Sequence, residues 1–230
     1  ATLRALGSFQ TLQRETGIPD FAHFMAVAGA FDYQQAAVIR VPGDAVEGNA
    51  VEQHSRDIID RFDTLVEPRC GTLVLFSSRR QMEQVYDELS DDLQKNILIQ
   101  GQYSNREMVR LHKERIDQGR TSVLMGLASF AEGVDLPGDY CRHVVIAKLP
   151  FAVPDDPLHE ALSEWIEDRG GNSFFDIALP IASLRLIQAC GRLLRTESDT
   201  GTVTILDKRL ITKRYGAQLL NALPPFRREV

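Results

Sequence analysis

The amino-acid sequence predicts an α/β fold, a mostly parallel sheet covered by helices on both faces. Three observations carry that expectation. Short Val/Ile/Leu-rich runs such as Thr72–Phe76, His143–Ala147 and Thr202–Leu206 are the mark of strands buried on both sides. Ser78 with Gln81, and Ser104 with Glu107, have the spacing that opens a helix. From residue 70 onward such strands and helices alternate, the pattern of a parallel sheet wrapped by its own crossovers.

Taken in order, Ser8–Thr16 reads as a helix and Ala37–Val41 as a strand. Val41–Gly48, where Pro42 and two glycines cluster, is the expected flexible edge. Asn49 then opens an amphipathic helix over Ala50–Val66. Strand Thr72–Phe76 leads into a helix from Ser78 to about Leu89, and strand Asn96–Gln100 into a helix from Ser104 to near Gly119. Ser122–Met125 and His143–Ala147 are the next strands. A Pro-punctuated acidic insertion follows, then a helix over Pro180–Arg195, the strand Thr202–Leu206 and a short helix over Tyr215–Leu223. Trp165, at helical spacing from Leu158 and Leu162, is expected in the core. Phe130 is expected as a packing anchor and Cys190 as a small buried hydrophobe.

Composition narrows the function classes. The chain has 230 residues, 43% hydrophobic and 25% charged, with a formal net charge of −6, which excludes a disordered, fibrous or disulfide-scaffold protein. No apolar run reaches the ~20 residues that span a bilayer, so no membrane partner is expected. Cys70, Cys141 and Cys190 stand far apart, and the five histidines are scattered. That fits a reducing compartment and leaves no metal-ligand spacing. The charge is segregated. Phe151–Asp176 holds seven acids and one base, whereas Asp207–Val230 holds six bases and two acids, so a nucleic-acid surface is allowed despite the acidic total.

Two stretches carry chemistry. Gly126-Leu-Ala-Ser129-Phe-Ala-Glu132-Gly133-Val-Asp135 follows a strand, where an open parallel sheet binds its ligands. Its glycines allow backbone to approach phosphate, and its hydroxyl and carboxylates can bind or order a nucleotide. An ordinary strand-to-helix loop has the same composition. Gln188-Ala-Cys-Gly191-Arg192-Leu-Leu-Arg195 lies on the expected late helix. At about 100° per residue, Arg185, Gln188, Arg192 and Arg195 share one stripe. Guanidinium forks suit phosphate, and Gly191 clears space beside Arg192. A solvated basic face is the alternative for this stripe.

Together the two stretches resemble motifs V and VI of superfamily 2 helicases, in the XPD/DinG-like branch and nearest its bacterial DinG/YoaA-type members. Leu73-Val-Leu-Phe-Ser77-Ser78 is similar to motif IV. Lys148-Leu-Pro-Phe151 with Pro154-Asp-Asp-Pro157 is similar to that branch's strand exit and insertion. Asp199-x-Gly201 and Asp207-x-Arg209 continue the C-terminal signature, and Ala1-Thr2-Leu3 is similar to the tail of motif III. The resemblance covers essentially the whole chain. It implies a RecA-like second motor lobe, of the P-loop NTPase helicase class, with a helical acidic insertion. Residues 1–69 would form its N-terminal part and 70–230 the RecA-like domain, with the insertion at about 151–179.

The resemblance further implies that Arg192 and Arg195, with Gln188 beside them, reach the γ-phosphate of ATP bound with Mg2+ between this lobe and a first lobe. Glu132, Gly133, Asp135 and Gly191 would serve the nucleotide and couple it to the track. Ser77, Ser78, Arg79 and Ser129 would touch single-stranded DNA. No Gly-Lys dipeptide of a phosphate-binding loop occurs, and Asp87-Glu88-Leu89-Ser90 is only a superficial match to an Asp-Glu-x-His box. Hydrolysis by this chain alone is therefore not expected. In this family a 4Fe-4S cluster belongs to the first half and is expected, if anywhere, there. An opening Ala1 with no methionine fits part of a longer protein. The alternative function is a docking module that holds a replication or repair protein through the basic segment Lys213–Arg228 with Leu223-Pro-Pro-Phe226. An RNA-tracking lobe is the third reading, disfavoured by the insertion.

Overall fold

The computed structural model describes residues 2–27, 29, 31–151 and 157–230. The Pro154-Asp155-Asp156 stretch of the expected insertion, and Ala1, lie outside the described residues. The chain runs α1 (Gln10–Thr16), α2 (Tyr33–Ala36), β1 (Ala37–Arg40), α3 (Val51–Leu65), β2 (Gly71–Phe76) and α4 (Arg79–Glu88). It continues with α5 (Asp91–Gln94), β3 (Ile97–Ile99), α6 (Asn105–Asp117), β4 (Ser122–Leu127), α7 (Ala128–Ala131) and β5 (His143–Ile146). Beyond these lie α8 (Pro157–Glu167), a π-helical turn (Phe174–Ala178), α9 (Leu179–Cys190), β6 (Gly201–Ile205), α10 (Arg209–Thr212), α11 (Arg214–Ala222) and β7 (Arg227–Glu229).

The seven strands form one sheet in the order β3-β4-β2-β5-β6-β1-β7, and every pairing is parallel. Because side chains alternate across a strand, each buried strand feeds two cores. Leu73, Leu75, Leu124, Val144, Val203 and Ile205 pack with Met108, Leu186 and Leu219 from α6, α9 and α11. Val74, Phe76, Val123, Met125 and Val145 turn the other way onto Ile58 and Phe62 of α3 and Met82 and Val85 of α4. This is the α/β class the strand pattern predicts.

The predicted helix starts are half right in chemistry. The Ser78 hydroxyl accepts from the Gln81 N–H at 3.4 Å and that of Ser104 from the Glu107 N–H at 3.3 Å. The reciprocal bonds do not form. The Gln81 amide reaches instead to His54 Nδ1 (2.9 Å) and Ser55 Oγ (3.1 Å), and Glu107 pairs with Arg110. His54 also donates to the Leu206 carbonyl at 2.7 Å, so a buried polar network ties α3 and α4 to the end of β6.

Four expectations need correction. Asn49 does not cap α3, whose N-cap is Ala50 without a side-chain bond. The Val41–Gly48 edge is tied down, with Val41 and Ala45 buried, Val46 N–H donating to Asp57 (3.2 Å) and Gly48 N–H to Asp207 (3.2 Å). Trp165 is 50% exposed with Arg169 stacked 4.0 Å from its ring, because α8 turns its neighbour Ile166 inward instead. The apolar residues of the expected C-terminal docking segment are not free for a partner. Leu223 and Phe226 are buried and residues 227–229 add an edge strand on β1. Phe130 and Cys190 are buried as expected, and burial pushes the Cys190 thiol up to about 12.

Candidate nucleotide and nucleic-acid face

The rim at the carboxyl ends of the parallel strands collects the predicted residues. Ser77 follows β2, Ser129 and Glu132 follow β4, and Lys148 and Asp207 follow β5 and β6. Gly126, inside β4, works by packing. A Cβ there would stand 2.7 Å from the Phe130 ring, so its bare backbone admits the residue that seats α7 on the sheet. Gly133 is exposed, with open space around it.

The arginine stretch departs from one expectation in an informative way. α9 stops at Cys190, so Arg192 and Arg195 do not continue the helical stripe of Arg185 and Gln188. Arg192 and Leu193 N–H bond back three residues, to Ala189 (3.1 Å) and Cys190 (3.2 Å), the tightening that ends a helix. Beyond it, the buried Asp199 carboxylate accepts from the N–H of Arg195 (2.6 Å) and Thr196 (2.7 Å), from the Thr196 hydroxyl (2.6 Å) and from Gly138 N–H (3.0 Å). An acceptor bonding these N–H groups competes with helix continuation. It also staples the loop after β4 to the turn after α9.

That staple brings the two motifs face to face. Arg192 donates from Nη1 to the Val134 carbonyl (3.1 Å) and from Nη2 to the Glu132 carbonyl (3.4 Å). Arg195 Nε donates to Asp135 Oδ1 at 2.7 Å. Among the described residues Arg192 forms no ion pair. Burial, then the positive charge of Arg195, holds its guanidinium below the usual arginine value. A guanidinium has five N–H donors, and carbonyls occupy only part of the set on Arg192. The arrangement holds two cations close, orients them, and leaves donors for an anion.

Two clefts meet at this point. One, of about 440 Å³, is lined by Ser77, Ser129, Glu132, Arg185, Gln188 and Arg192 with Phe151 and His159. The other, of about 510 Å³, takes in Gln188, Gly191, Arg192, Arg195 and Glu132 against Phe31, Tyr33 and Pro224. Gln188, Glu132 and Arg192 form the ridge between them. Of the predicted DNA-contacting residues, Ser77 and Ser129 share the first cleft. Ser78 is spent on capping α4, and Arg79 lies along α4 near Glu83 at 3.8 Å; neither lines a cleft. Arg185 was visible only as part of the stripe. Its place in the first cleft, anchored to the Pro150 carbonyl at 3.3 Å, was not legible in the sequence. Phe31 and Tyr33 had no sequence signal at all.

The buried Asp207 and the half-buried Arg209 form a separate pair. Asp207 accepts from Arg209 Nη2 at 2.6 Å and from Leu149 N–H at 3.0 Å, fixing the strand exits structurally. Lys148 beside them is half-buried, and burial followed by the Arg209 charge lowers its ammonium value.

The helicase C-terminal domain model matches residues 63–226. Over 235 residues the chain is 43% identical to the ATP-dependent DNA helicase DinG of Photobacterium profundum, covering 100% of this chain and 34% of that protein. To the ATP-dependent DNA helicase DinG of Escherichia coli K12 it is 40% identical over 232 residues, covering 98% and 32%. The chain thus spans about a third of the length of these relatives. Among solved structures, an XPD helicase superposes with a TM-score of 0.59 at 17% identity, over 84% of this chain and 36% of that one. The Xpd4 of S. tokodaii does so with 0.60 at 15%, over 94% and 42%. These two likenesses speak for the fold.

Proposed function

This chain belongs to the helicase C-terminal domain family, as the second lobe of an XPD/DinG-like superfamily 2 helicase, and from that premise we propose that it is half of an ATP-driven motor on single-stranded DNA. The observation that carries the reading is the convergence of Arg192 and Arg195 on one cleft, oriented by the Glu132 and Val134 carbonyls and by Asp135. Two guanidiniums held together with free donors are complementary to a transferring phosphoryl group. Arginines so placed contribute about 10³–10⁵ in rate in comparable enzymes.

In this reading ATP lies between the present lobe and a first lobe, and Gln188 and Gly191 border its phosphates. Asp135, bonded to Arg195, and Glu132, whose backbone carbonyl holds Arg192, would report nucleotide occupancy to Ser77 and Ser129 across the shared ridge. Ser77 and Ser129 would touch DNA phosphates, with Ser78 and Arg79 at the outer margin of the track. No cluster of three or more potential metal ligands occurs among the described residues; the Mg2+ that accompanies ATP would be shared with the first lobe, bound largely through the phosphates. Lacking a Gly-Lys phosphate loop, the chain would not hydrolyse ATP alone. The parent would act in repair or replication, in the bacterial cytoplasm at the nucleoid, and a 4Fe-4S cluster would reside in its other part. A protein partner at the basic C-terminal segment would have to be held by its exposed bases, Lys213, Arg214, Arg227 and Arg228, because Leu223 and Phe226 are core.

The test is steady-state ATP hydrolysis by the longest natural form of the chain, with no nucleic acid, single-stranded DNA or single-stranded RNA. Strong stimulation by DNA is expected. Stimulation by RNA and not DNA would install the RNA-tracking reading, and hydrolysis indifferent to both would overturn the motor.

A further inference from the structure

The cleft that takes in Arg192 and Arg195 has a second, chemically different wall. Phe31, Tyr33, Pro224 and Phe226 line the cleft together with the cations, contributed by the segment before β1 and the segment before β7. Tyr33 is partly exposed and packs against two neighbouring rings that line the same cleft. Its ring centroid lies 5.9 Å from that of the buried Phe226, tilted 46°, and 5.6 Å from that of Phe31, tilted 49°. Gly29 packs so closely on the Tyr33 hydroxyl that any side chain at position 29 would displace it. The ring is therefore braced by the buried Phe226 and by bare backbone at its tip, and it borders the cleft. A volume of about 510 Å³ is within the range of small-molecule sites.

We propose that Tyr33 is the platform for the purine ring of the nucleotide whose phosphates meet Arg192 and Arg195, so that this lobe supplies its own base subsite. The inference rests on the phosphate role proposed above for the two arginines. A cleft with guanidiniums at one wall and a braced aromatic face at another is complementary to a ligand that is anionic at one end and flat and apolar at the other. Inorganic phosphate chains satisfy only the first wall, and a free base only the second. Stacking of a base on an aromatic side chain contributes enough affinity to be read directly, roughly fivefold or more. Tyr33 is placed to stack, not to react, so its effect falls on binding.

The experiment titrates the 230-residue chain with ATP and with tripolyphosphate, following the ligand by phosphorus and proton NMR. Wild type, Tyr33→Leu, Tyr33→Trp and Arg192→Ala are compared. Leucine keeps apolar packing on Phe226 while removing the ring, and thermal melting confirms that each variant is folded. ATP should bind at least about fivefold more tightly than tripolyphosphate. Tyr33→Leu should erase that advantage without moving tripolyphosphate, and Tyr33→Trp should keep it. Arg192→Ala should weaken both ligands. Saturation of the protein should reach the adenine protons in wild type and not in Tyr33→Leu. If Tyr33→Leu leaves ATP binding unchanged while Arg192→Ala weakens both ligands, the base platform is wrong and the phosphate site stands. If neither ligand binds, or Arg192→Ala moves neither, the phosphate site fails and the platform with it.

Discussion

Replacing Asp199 with alanine should destabilise the chain far more than its position in a surface turn suggests. The carboxylate is 3% exposed and accepts four hydrogen bonds, from the Arg195, Thr196 and Gly138 N–H groups and the Thr196 hydroxyl. Hydrogen bonds to a charged group are worth about 1.5–3 kcal/mol each, but water entering the vacated space would recover part of that sum. A net loss of about 3 kcal/mol is expected, which for a domain of this size lowers the melting temperature by roughly 6–12 °C. Burial raises the Asp199 carboxyl, but its bonds to Thr196, Arg195 and Gly138 outweigh that and leave it below the usual aspartate value. Its contribution is thus present above about pH 4 and lost as pH falls through the depressed value. Urea and thermal unfolding of wild type, Asp199→Ala and Asp199→Asn between pH 2 and 7 measure both effects. A shift under about 2 °C at pH 7, or an acid-side stability loss identical in wild type and Asp199→Asn, would refute the staple.

Other consequences are equally concrete. Asp207→Ala leaves the Arg209 guanidinium half-buried without its partner and should cost about 3–5 kcal/mol in urea unfolding; a loss below about 1 kcal/mol would contradict the pairing. His112 and His143 are buried and hydrogen-bonded, and desolvation lowers each to about 4. Unfolded histidine takes up its proton near pH 6.5. Stability should therefore fall as pH drops from about 6.5 to about 4, by at most about 3 kcal/mol for each group. A flat stability profile through that range would show both rings solvated. On the proposed function the isolated chain should bind single-stranded DNA weakly and with steep salt dependence. Nanomolar binding at physiological salt, measured by fluorescence anisotropy, would instead mark a dedicated binding module.

Much of this structure is legible in the sequence because buried parallel strands have little choice. Leu73, Val74 and Leu75 are each covered on their own face, so apolar runs reveal the strands and their alternation with helices reveals the class. The Ser78 and Ser104 caps are local, and local chemistry suffices to find them. The end of α9 is not local. Gly191 is compatible with either stopping or continuing, and Asp199, eight residues on, takes the Arg195 and Thr196 N–H groups. β7 was invisible for a different reason. Its three residues, Arg-Arg-Glu, are all exposed, and an edge strand held by β1 and by the Arg40–Glu229 pair at 2.7 Å needs no apolar pattern. Trp165 misled because spacing alone does not say which side of an amphipathic helix wins the core; Ile166 took it. At the site, the sequence pointed to Arg192, Arg195, Gln188, Glu132 and Asp135 as neighbours. The aromatic wall escaped because Phe31 and Tyr33 reach the cleft only through the β1–β6 pairing and the packing of Tyr33 on Phe226.

The central claim is that Arg192 acts on the transferring phosphate. Single-turnover ATP hydrolysis by the longest natural form, saturated with single-stranded DNA, tests it in wild type, Arg192→Ala and Arg192→Lys. Both variants should retain their melting temperature and lose about 10³–10⁵ in rate, lysine included, because an ammonium cannot reproduce the planar fork. Folded variants that hydrolyse ATP within tenfold of wild type would show that Arg192 braces the loop after β4 and does nothing to the phosphate.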